Sequence, residues 1–160
     1  MNMKKLFALL AAAALTPVCA LAQSSIYTYE GEGFAVKLLS AYDVRIASTS
    51  GMVFTADDED RKADVEVCQG VGTKGYSLAR KEIEDADFFV NDDGSEMMVE
   101  SPREARRFLS YISYGRSTGI SLKVEVVDKD APKGHKSVYL DIPAKPLNEM
   151  LEAQRNANRR

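Results

Sequence analysis

The chain has 160 residues, of which 21 are Lys or Arg and 24 are Asp or Glu, for a net charge of −3. That balance lacks the clustered positive charge that binding to nucleic-acid phosphates needs, and it gives no pull toward anionic lipid. One His and two Cys leave too few ligands for a Cys/His zinc site.

Lys4 and Lys5 precede an apolar run over residues 6–15, and Ala20-Leu21-Ala22 supplies small residues where signal peptidase reads. The pattern predicts residues 1–22 as a cleaved secretory signal peptide. Residues 23–160 are then a single globular α+β domain, periplasmic or secreted, with no membrane span after leader removal. Pro17 and Val18 stand before Cys19 where a lipoprotein signal needs small residues, so no lipid anchor is expected. Taking 22 from 160 leaves 138 residues. The leader holds two Lys and no acid, so 19 basic residues then face 24 acidic ones. Cys68 becomes the lone cysteine and no internal disulfide is possible.

Along the mature chain, Tyr27 and Tyr29 open a strand or a loose arm. Residues 34–38 and 43–47 alternate as two strands. Residues 52–56 and 63–67 predict a hairpin that pairs Phe54 with Val65 and Met52 with Val67 around a charged loop. Gly70, Gly72 and Gly75 mark a connector. Their spacing matches a dinucleotide fingerprint, but the preceding strand belongs to an antiparallel hairpin rather than a βαβ unit.

Ser77 as a cap and Ala79, Ile83, Ala86 and Val90 as one stripe predict a central helix over about residues 77–90. Its charges run basic to acidic, against the helix dipole. A strand over 95–100 follows. Residues 106–114 and 120–127 then alternate as a second hairpin, with Phe108, Ser110, Ile112 and Tyr114 facing Val126, Val124, Leu122 and Ile120. Residues 138–142 predict a last strand. Leu147, Met150, Leu151 and Gln154 predict a C-terminal helix over about 146–157.

These elements make an antiparallel sheet of about six to eight strands with the central and C-terminal helices on one face. The layout is similar to exported sheet-and-helix domains of the PsbP/Mog1 type. No shared motif carries that likeness, so it assigns no residue a role.

No cofactor or metal site is expected. Asp57, Asp58, Glu59, Asp60 and Asp64 offer oxygen ligands without calcium-loop spacing, and 91–94 lacks the downstream Glu. Nothing in the sequence joins Cys68 to His135 as a nucleophile and base. What remains is binding. On the outer hairpin face, Tyr111 and Leu109, with Arg106, Arg107 and Arg116 at its ends, have the composition of protein interfaces. The expectation is an exported, non-enzymatic binding or accessory domain for another protein or envelope component. The alternatives are a small hydrolase using scattered carboxylates or Cys68, and a small-ligand carrier with a cleft between sheet and helix.

Overall fold

The computed structural model describes residues 24–57, 59–72 and 80–159; the leader, Ser77 and Gly75 lie outside these ranges. Eight strands form one antiparallel sheet in the order β1-β2-β3-β6-β5-β4-β7-β8. They are β1 Tyr27–Glu30, β2 Phe34–Ser40, β3 Asp43–Ser48, β4 Lys62–Gln69, β5 Lys81–Val90, β6 Glu96–Val99, β7 Ile120–Val127 and β8 His135–Ile142. Helix α1 spans Pro102–Ile112, a 3-10 turn spans Ser113–Gly115, and helix α2 spans Ala144–Asn158. No helix among the described residues is long and apolar enough to cross a membrane.

The even-numbered apolar residues of β7 face the core as their alternation predicts. Ile120, Leu122, Val124 and Val126 of β7 are all buried, and β8 pairs with β7 without a break from Ile120 opposite Ile142 to Val127 opposite His135. Leu147, Met150 and Leu151 bury the predicted stripe of α2. The Tyr27 hydroxyl donates to Glu149 at 2.7 Å and ties β1 to that helix.

Three expectations are corrected. Residues 106–112 are helical, so the partner of β7 is not the segment before it. The Ser101 hydroxyl accepts from the Glu104 N–H at 3.2 Å, Pro102 stands in the first turn, and Glu104 suits the positive end of the dipole. Ala105, Phe108, Leu109 and Ile112 form the buried stripe, spaced i, i+3, i+4 and i+7. The alternating row fails because it forces Ser110 among apolar side chains, while the helix leaves Ser110 exposed. Phe108 instead meets Phe88 edge-on, ring centroids 5.2 Å apart.

The second correction concerns the central helix. Residues 81–90 are β5, whose Ala86, Phe88 and Val90 alternate into the core between β4 and β6. Ala86 and Val90 satisfy the helical stripe as well, but a helix would carry Phe88 round to its polar side. The adverse charge order was the true signal.

The third concerns residues 52–56. They do not pair with β4, whose Val65 lies opposite Ala86 and whose Val67 lies opposite Glu84 and Leu122. Phe54 instead bridges Val126 of β7, and its N–H donates to the Gly94 carbonyl at 2.7 Å. Gly94 has φ +75°, and a Cβ there would lie 2.5 Å from Val53, so the close approach needs glycine.

Candidate functional site

The five residues singled out from sequence divide once α1 is helical. Arg106, Leu109 and Ser110 turn toward α2, whereas Arg107 and Tyr111 sit on another side of α1 and engage each other. Arg107 Nε donates to the Tyr111 hydroxyl at 3.2 Å, and its guanidinium pairs with Glu104 at 3.2 Å. Arg116 follows the 3-10 turn, which brings it back toward α2. Arg106, Leu109 and Arg116 thus converge on one groove of about 370 Å³ between the helices.

Leu109 and Leu151, both nearly buried, form its apolar base. Tyr42, from the β2–β3 turn, closes one end and lies 5.3 Å beneath the Arg106 guanidinium. Ser110, Ser113, Gln154 and Asn158 supply neutral hydrogen-bonding groups along the walls. The side chain of Arg116 is steadied by α2: its Nη1 donates to Asn148 Oδ1 at 3.3 Å, while Asn148 Nδ2 donates to the Arg116 carbonyl at 2.8 Å. Among the described residues neither Arg106 nor Arg116 has a carboxylate within ion-pair distance. Two guanidiniums with a rigid fork of donors, unpaired over an apolar base, suit carboxylate recognition.

Sequence reasoning missed Tyr42, Leu151, Gln154 and Asn158. Gln154 was visible only as one position of the α2 stripe. Tyr42 carries no local sign, because the contact that places it is made across the fold.

The opposite face of the sheet holds a second polar constellation. Ser121 is the buried polar side chain among the described residues. Its hydroxyl lies 2.5 Å from Asp141 Oδ1 and 2.8 Å from the Gly70 carbonyl, and accepts from Arg80 Nε at 2.9 Å. The Gly72 N–H donates to Asp141 at 3.2 Å, and Arg80 stacks 4.2 Å over the Tyr139 ring. This network fastens the end of β4 to β7 and β8. It has no imidazole: His135 lies opposite Val127, six positions along β7 from Ser121, roughly 20 Å away at the rise of a strand.

Cys68 sits directly opposite Ser121 and is therefore equally remote from His135. It is buried, and burial first, then the Glu66 and Glu82 carboxylates, push its thiol up. A thiolate nucleophile needs the reverse. Carboxylate oxygens of Glu66, Glu82 and Asp85 lie within 4.8 Å of one another on the outer face of β4 and β5. Lys123 pairs with Glu66 at 3.8 Å, and Glu82 and Asp85 are exposed.

Comparison with protein-family models, with curated proteins and with solved structures found no match.

Proposed function

We propose that the protein is an exported, non-enzymatic binding or accessory domain that holds an acidic segment of a partner protein in the groove between α1 and α2. The observation that carries this reading is the pair Arg106 and Arg116, which flank an apolar base with no carboxylate within ion-pair distance among the described residues. A volume of about 370 Å³ lies at the small end of ligand sites. It accommodates one or two side chains of a peptide rather than a large cofactor. Asp or Glu carboxylates would take the guanidiniums, a neighbouring apolar side chain would rest on Leu109 and Leu151, and Ser110, Gln154 and Asn158 would meet the peptide backbone. Export rests on the leader pattern of residues 1–22.

Fluorescence anisotropy with labelled acidic and charge-neutral peptides tests it. Acidic peptides should bind more tightly, the affinity should fall as salt rises, and Arg106→Glu with Arg116→Glu should weaken binding at least about tenfold. Equal binding of acidic and neutral peptides, or an unchanged affinity in the double variant, would overturn it.

A further inference from the structure

The face of the sheet turned away from α1 carries a charge imbalance that the fold leaves standing. Phe88 of β5 meets Phe108 of α1, so its alternates Asp85, Asp87 and Phe89 point the other way. On β4, Glu66 lies opposite Asp85, Asp64 opposite Asp87, and Lys62 opposite Phe89. Two acidic pairs in succession thus face each other directly, an arrangement that weakens a strand pair. Lys123 is already paired with Glu66, and Lys62 with Glu100 at 3.6 Å. Among the described residues no basic group lies within ion-pair distance of Asp64, Glu82, Asp85 or Asp87. Asp64, Glu82 and Asp85 are exposed.

An apolar cleft continues this row of acids. Phe89 lies opposite Met98 of β6, and both are half-buried. They line a cleft of about 540 Å³ with the residues that lead into α1. The two acids beside it are taken, Glu100 by Lys62 and Glu104 by Arg107. Arg103, also on its wall, disfavours a cation inside. The cleft therefore suits an uncharged apolar side chain, and the neighbouring acidic rows suit cations.

We propose that this face holds an extended basic segment of a partner protein. Its apolar side chain enters the Phe89–Met98 cleft, and Lys or Arg side chains two and four residues along it meet first Asp64 and Asp87, then Glu66 and Asp85. Charge and spacing together name the occupant. Successive rows of the sheet face lie about 7 Å apart, the same distance as alternate side chains of an extended segment. A cation between Asp64 and Asp87 also offsets a repulsion that the fold itself leaves uncompensated. The surface is separate from the groove between α1 and α2, and nothing in it depends on Arg106 or Arg116.

The probe is a labelled, end-blocked peptide carrying one leucine and lysines two and four positions after it on a Gly/Ser background, followed by fluorescence anisotropy with the full chain. Affinity should fall as salt rises, and it should drop at least about fivefold when the leucine is replaced by serine or the three residues are made contiguous. Asp85→Asn with Asp87→Asn should weaken binding at least about tenfold while the protein melts no lower than the unaltered chain, because like charges have been removed. Glu30→Gln with Glu32→Gln, the same loss of charge elsewhere, should leave affinity within about twofold, as should Arg106→Glu with Arg116→Glu. Equal binding of the contiguous peptide, full binding to the Asp85/Asp87 variant, or an equal loss in the Glu30/Glu32 variant would overturn the proposal. So would calcium binding that the Asp85/Asp87 variant abolishes with no binding of the peptide.

Discussion

Two sets of arginines lie on opposite faces of one sheet, and their surroundings differ in kind. Arg80 is committed to the fold: its Nε donates to Ser121, its Nη2 to Asp141, and its flat face lies over Tyr139, which links β7 to β8 through it. Arg106 and Arg116 are held by a ring and an amide, and no described carboxylate neutralises them. A guanidinium fully used by the fold is a fastener. One that the fold positions but leaves unpaired is available to a ligand, because a later carboxylate displaces no internal one.

The largest effect should come from removing what seats α1, since that helix builds one wall of the groove. Phe108→Ala vacates the contact with Phe88 and should cost about 3–5 kcal/mol in denaturant unfolding, with peptide binding lost as the wall loosens. A smaller loss separates the two arginine sets. Arg80→Ala removes a donor to Ser121 and the ion pair to Asp141, while Ser121 and Gly72 still bond to Asp141, and should cost about 1–2 kcal/mol. Arg106→Ala should change stability by less than about 0.5 kcal/mol while weakening the acidic peptide. Equal destabilisation by both substitutions would break the contrast.

The smallest effect concerns the acidic outer face. A hydrogen bond with Asp87, then burial, then repulsion from Asp87, Asp85 and Glu66 raise the Asp64 carboxyl above the ordinary carboxylate range. The folded state therefore holds that proton more tightly than the unfolded state. Its contribution to stability is present at low pH and is lost as pH rises through the raised folded value. Asp64→Asn should raise Tm by about 2 °C at neutral pH and low salt, and the gain should vanish on acidification. A lowered Tm at neutral pH would show that the carboxylate is satisfied instead.

What the sequence revealed depended on whether local pattern or distant contact decided the outcome. β7 and α2 are legible because burial on one side imposes a single period on each. Residues 106–112 fit both periods, and the deciding signal lay outside the alternating run, in Ser101-Pro102 and Glu104. Residues 81–90 were ambiguous for the same reason, since positions 86 and 90 satisfy both patterns. The groove was legible in part and through the wrong geometry: Leu109 was named on the outer face of a hairpin with Arg106 and Arg116 at its ends, and a helix and turn bring them together. Tyr42 and Asn158 are joined to them only by tertiary packing. The Arg80 network was foreshadowed by Ser121, a hydroxyl inside an apolar strand, but its partners lie 41 and 20 residues away.

The most direct test pairs binding with stability in the doubly reversed variant Arg106→Glu, Arg116→Glu, titrated with an acidic peptide and melted alongside the unaltered protein. Affinity should fall at least about tenfold while the melting temperature stays within about 2 °C, as it does for groups the fold positions without using. An affinity that survives the reversal, or a melting temperature that collapses with it, would contradict the assignment of these two guanidiniums to a ligand.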